Sequence, residues 1–160
     1  MKNFMPNLFD VCDYIILKVT EEKKSLNILK LQKLLYYVQA WHLALYKTPL
    51  FEGKFQAWVH GPVNREIYDR FSLKKMLYSD LSFRDIGKTF RVENLSKKAQ
   101  NHINDVLEVY AKYTGSQLEE FTHRELPWIE ARKGYNSIDR CEIEIDENLM
   151  RRYYSDLMKK

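Results

Sequence analysis

Proton chemistry near neutral pH needs a histidine, or a carboxylate moved from its usual range, beside a second polar group. His123 and Glu125, two residues apart, are a pair of that kind. His60 is a second candidate, because it ends a readable element and precedes Gly61-Pro62-Val63, as His123 precedes Arg124-Glu125-Leu126. A structural account competes with the catalytic one, since a histidine at an element end can satisfy the backbone groups exposed there. His42 falls on an apolar helix face and reads as a packed histidine; His102 has polar neighbours and reads as solvated.

Around these residues the usual catalytic words are missing. There is no phosphate-binding glycine loop, no HExxH and no nucleophile elbow. Five scattered glycines leave little backbone to cradle phosphate. Cys12 and Cys141 lie in no CxxC or Cys/His ligand spacing, so they read as two buried thiols in a reducing compartment. The sequence therefore points away from an enzyme, a metal site and a cofactor.

Charge excludes less. The net charge of +4 is mild, and the pairs Lys23-Lys24, Lys74-Lys75, Lys97-Lys98, Arg151-Arg152 and Lys159-Lys160 are spread along the chain, as on a solvated surface. Dedicated nucleic-acid binders cluster such residues more heavily, so the composition disfavours nucleic acid. Met1 to Asp10 carries no secretory leader pattern, and no apolar run approaches the ~18 residues of a membrane span. These features predict a soluble, cytoplasmic protein with no membrane partner. With 45% hydrophobic residues and eleven Tyr and three Trp, the 160 residues suit one packed domain, residues 1–160.

The elements that must position these side chains follow from periodicity. Asn7 caps a helix over about 8–20, with Leu8, Val11, Cys12, Ile15 and Val19 as its stripe. A second helix, about 27–46, is apolar over most of its circumference, as expected of a central, buried helix. Its inner face holds Ile28, Leu31, Leu35, Val38, His42 and Leu45, and Pro49 lies beyond its end. Residues 54–60 alternate as a strand, after which Pro62 suits the first turn of a helix to about Arg70.

Residues 72–95 give no clear pattern, with a short strand expected at 89–92. A helix from Ser96 to about Tyr113 follows, stopped by Gly115, and then a capping box at Ser116–Glu119 opens a short helix to His123. Another helical turn spans 127–132; 141–145 alternates as a strand; and Asp146 caps a last helix. The expected fold class is α+β, predominantly α-helical: about six helices around a long central helix, with two or three short strands.

Three separated runs carry a family likeness. Lys30-Leu31-Gln32-Lys33-Leu34-Leu35-Tyr36-Tyr37 with Gln39-Ala40-Trp41-His42 is similar to the long helix that marks the Panacea, or SocA-like, antitoxin family. Phe55-Gln56-Ala57-Trp58, His60-Gly61-Pro62-Val63 and Tyr68 resemble its second motif. Leu118, Thr122-His123-Arg124-Glu125, Pro127-Trp128 and Ala131-Arg132 resemble its third, and 149–154 matches the closing helix more loosely. Before Gly61 this chain has His60, where the family commonly has an aromatic.

The resemblance covers about residues 8–155. It implies an antitoxin that neutralises a protein toxin, encoded next to it, by direct binding, with proteolytic delivery of the toxin as a variant and a nucleic-acid-binding regulator as the alternative. It implies no catalysis. A neutralising surface needs aromatic and arginine anchors, for which Tyr36, Trp58, Tyr68, Trp128 and Arg132 are candidates, with His60, His123 and Glu125 beside them. A homodimer through exposed aromatics stays open.

Overall fold

A computed structural model describes residues 5–160. Residues 1–4, part of the stretch read above as carrying no leader, lie outside the described residues. Seven α-helices and one β-hairpin follow in chain order: α1 (Leu8–Glu21), α2 (Ile28–Tyr46), β1 (Gln56–Trp58), β2 (Gly61–Val63), α3 (Arg65–Ser72), α4 (Lys97–Tyr110), α5 (Gly115–His123), α6 (Leu126–Ala131) and α7 (Glu147–Met158). The α+β, mainly helical class holds: among the described residues six α-helices accompany the long central one, with two short strands.

The central helix is α2. It packs against α1, α4, α5, α7 and β2. Asn27 caps it by accepting the Lys30 N–H, and Lys47, in the left-handed region at φ 66°, closes it two residues before Pro49. Burial is nearly all-round and includes Lys30, Gln32, Lys33 and Gln39. A polar group taken from water must find a partner, and each of these finds one in loop or strand backbone. Lys30 donates to the carbonyls of Ser25 and Ala111; Gln39 donates to the Phe51 carbonyl and accepts from Leu50 N–H. Gln32 clasps Asn64 in both directions, donating to its carbonyl at 3.1 Å and accepting its N–H at 2.8 Å. Asn64 in turn caps α3 through the Ile67 N–H.

Local chemistry sets most of the remaining boundaries as expected: Asn7, Ser96 and Asp146 accept N–H bonds at the starts of α1, α4 and α7. Several expectations are corrected. Pro62 lies in β2, paired with Ala57, and α3 starts three residues later because Asn64 supplies the cap. Residues 89–92 form no strand; turns and a short 3-10 helix at Val92–Asn94 occupy this part. The stretch 141–145 forms a single antiparallel bridge, Gln56 with Glu144, flanked by Ala57 N–H to the Ile143 carbonyl and Ile145 N–H to the Phe55 carbonyl.

The capping box sits two residues earlier than expected, at Thr114 and Gln117, and Gly115 opens α5 instead of closing α4. A side chain there would press on Lys30 N at 3.0 Å, so the glycine lets the start of α5 approach the start of α2. Leu45 faces solvent at the end of α2, whereas His102 is buried and donates to the Val38 carbonyl at 2.9 Å. Both cysteines are buried, as expected.

Candidate functional site

The third sequence motif grips the second. Three donors from α5 and α6 meet three successive carbonyls of the hairpin: Arg132 Nη1 to Ala57 O, Trp128 Nε1 to Trp58 O and His123 Nε2 to Val59 O, each 2.9 Å. His123 stacks on Trp128 at 4.1 Å, and the Arg132 guanidinium lies over the Trp128 ring, 5.1 Å from its centroid. The second guanidinium nitrogen of Arg132 also holds the carbonyls of Asn136 and Asp139, at 2.7 and 2.6 Å. An arginine presents a rigid fork of five donors, which suits one side chain to three carbonyls. Burial pushes the His123 imidazole below its ordinary pKa, consistent with a neutral ring that donates to a carbonyl.

Glu125 belongs to a different cluster. Its Oε1 accepts from the hydroxyls of Tyr37 and Tyr154, both at 2.8 Å, and Tyr36 donates to Tyr154 at 3.1 Å. Tyr37 stacks face to face on Tyr110 at 4.0 Å, and Trp41 donates to the Tyr110 hydroxyl. Burial raises the Glu125 carboxyl above its usual range, while the two tyrosine hydroxyls pull it back. His123 and Glu125 therefore hydrogen-bond to separate partners and do not pair, so the acid–base pairing read from their spacing is not formed. Tyr36, also expected as an anchor, is 1% exposed and packs edge-on against Tyr37, Phe55 and Tyr154.

The long side chain of Lys33 reaches the hairpin from α2. It is fully buried, donates to the Pro62 carbonyl at 2.9 Å, and has its pKa pushed down to about 7 by loss of water. Gly61 makes room for it. That residue has φ +100°, and a Cβ there would stand 2.6 Å from Lys33 Cε and 2.9 Å from Thr122 Oγ1. His60, at the hairpin turn, is exposed and meets Glu119 at 3.2 Å.

What remains at the surface is a different set. Trp58, His60 and Tyr68 line one groove of about 430 Å3, with Ile28, Val59, Val63, Leu77, Ile138 and Cys141 as its apolar wall and Arg140 and Glu142 at its rim. Trp58 and Tyr68 meet edge to face at 4.9 Å, and Arg65 lies 5.6 Å over both rings. The same guanidinium pairs with Asp69 and Glu142, at 3.3 and 3.2 Å.

The structure thus divides the eight candidates. Trp58, His60 and Tyr68 come together at an accessible groove; Tyr36, Trp128 and Arg132 are buried; and His123 and Glu125 are half-buried in two separate clusters. Arg65 and Ile138 were missed. Arg65 had a signal, three residues before Tyr68 on one helix face; Ile138 had none, because the contact crosses the fold. A larger hollow of about 640 Å3 lies beside the start of α1, but it is lined mainly by charged and polar residues and shares only Gln56 with the motifs. Among the described residues, no group of His, Cys, Asp and Glu could hold a metal ion, and no helix is long and apolar enough to cross a membrane.

The sequence model of the family described as antitoxin SocA-like, Panacea domain, matches residues 31–129. That span runs from the first turn of α2 into α6 and covers the three motifs except Lys30, Ala131 and Arg132 at their outer ends. No curated protein and no solved structure matches the chain.

Proposed function

The chain belongs to the SocA-like Panacea domain family, and we propose that it is a cytoplasmic antitoxin, one domain over residues 1–160, that binds and occludes a cognate protein toxin encoded beside it. The single observation that carries this reading is the division of labour among the motif residues. Those with chemical potential are engaged: His123, Lys33 and Arg132 hold backbone carbonyls, and Glu125 accepts from two tyrosine hydroxyls. Those left at the surface, Trp58 and Tyr68, form with the neighbouring Arg65 an aromatic and arginine platform beside an apolar groove. Binding energy at protein interfaces concentrates in such aromatic and arginine anchors.

Co-expression with the product of the adjacent gene tests the reading. Rescue of growth together with a stable co-purifying complex supports occlusion. Rescue with loss of the partner that depends on a protease shifts the mechanism to delivery. A neighbour harmless in every condition removes the reading.

A further inference from the structure

The groove continues into a surface that its own residues do not explain. Between α3 and the 3-10 turn at Phe83–Asp85 the chain is irregular, yet it is pinned: Leu29 N–H bonds the Leu77 carbonyl at 3.0 Å, Leu81 N–H bonds the Leu26 carbonyl at 2.8 Å, and Ser82 and Asp85 form a reciprocal cap. Leu81 is buried and Leu77 lines the groove. Their neighbours point the other way. Leu73 is 96% exposed, Met76 80%, Phe83 67% and Tyr78 60%. Four large apolar side chains are thus exposed within eleven residues of a pinned backbone.

Charge says what would cover them. From residue 61 to residue 91 there are seven Lys and Arg against four Asp and Glu, an excess of three, when the whole chain carries an excess of four. Inside this stretch Lys74 and Arg84 have no ion-pair partner among the described residues, and they interleave with the exposed apolar side chains. We infer that residues 73–84, continuous with the Trp58–Tyr68 groove, are the docking surface for an acidic amphipathic segment of the partner protein, with apolar anchors on Leu73, Met76 and Phe83 and carboxylates on Lys74 and Arg84. Complementary charge of this kind steers encounter and fixes register, and apolar anchors supply the residence time. The fixed backbone and adjoining groove favour a protein segment over a lipid surface, and exposed aliphatic side chains have no use for phosphate.

The inference rests on the antitoxin reading only for the identity of the partner, so its test is separable. Two synthetic peptides are titrated into the full-length 15N-labelled chain: one alternating Leu and Phe with Glu, and a twin with Lys in place of every Glu. The acidic peptide is expected to shift the amides of 73–84 and Tyr68. Its affinity should fall roughly ten-fold in the double variant Lys74→Glu/Arg84→Glu, whose melting temperature should match the wild type because both side chains are exposed. The twin should not bind. Equal binding of the two peptides, shifts confined to another face, no binding of either, or stronger binding of this surface to phosphatidylglycerol vesicles, duplex DNA or a second copy would each overturn it. In co-expression, a toxic neighbour neutralised equally by the wild type and the charge-reversed variant sinks the docking surface and leaves the antitoxin reading standing. Failure of the wild type sinks the antitoxin reading, while the peptides still decide the surface.

Discussion

Trp128 donates its indole N–H to the backbone carbonyl of Trp58 at 2.9 Å, although seventy residues separate them. One tryptophan is buried and holds the hairpin; the other, on that hairpin, lines the groove. The same residue type therefore serves as scaffold in one motif and as surface in another. Substitution should separate the two roles: Trp128→Phe leaves the Trp58 carbonyl without its donor and should lose about 1–3 kcal/mol in urea unfolding.

Arg132 should be the most costly single change among the motif residues. It supplies donors to Ala57, Asn136 and Asp139, and it is buried. Arg132→Leu removes all three bonds and should cost about 2–4 kcal/mol. Arg132→Lys cannot reproduce the fork and should recover only part of the loss. Chemical denaturation of the three proteins side by side checks the order.

Lys33 gives the chain a pH signature. Its folded-state pKa, about 7, lies below the ordinary 10.5, so between those values the unfolded chain binds a proton that the folded chain does not. Stability should then rise with pH from about 7 upward, and Lys30, shifted down in the same direction by burial, adds to the slope. Cys12 opposes this above pH 9, because its folded thiol is pushed up to about 12 and the unfolded chain loses that proton first. The useful window is therefore pH 7–9. Lys33→Met should flatten the rise in urea midpoint across it, leaving the shallower contribution of Lys30; an unchanged slope would mean that Lys33 keeps its charge in the folded protein.

Gly61→Ala should cost about 2–4 kcal/mol, from left-handed backbone strain and from contact with a lysine stem that has no free space. The cause is specific, so the penalty should shrink when Lys33 is shortened. In a double-mutant cycle with Lys33→Ala the two losses should fall short of additive, whereas independent sites would add.

Much of this arrangement was legible in the sequence, and the failures have definite causes. The caps Asn7, Ser96 and Asp146 act on neighbours within three residues, so local chemistry reveals them. The buried burden of α2 was legible from its apolar arc, but not the duties of Lys33 or Gln32, whose partners lie about thirty residues on in the hairpin and at Asn64. His102 was legible and misread: it falls three residues after Ala99 and four before Val106, on the buried stripe of α4, and its polar neighbours concealed this. The candidate site could be named by residue type but not sorted. Tyrosine and tryptophan suit a core and an interface equally, so only the fold distinguishes Tyr36 inside from Tyr68 outside.

Binding of the adjacent gene's product by purified wild-type protein and by Trp58→Ala/Tyr68→Ala, followed by calorimetry, tests the central claim most directly. The account predicts a stable complex with the wild type and a loss of at least about 2 kcal/mol in binding for the double variant, with its circular dichroism spectrum unchanged. A correctly folded variant that binds as tightly as the wild type would contradict the account and move the contact away from the groove.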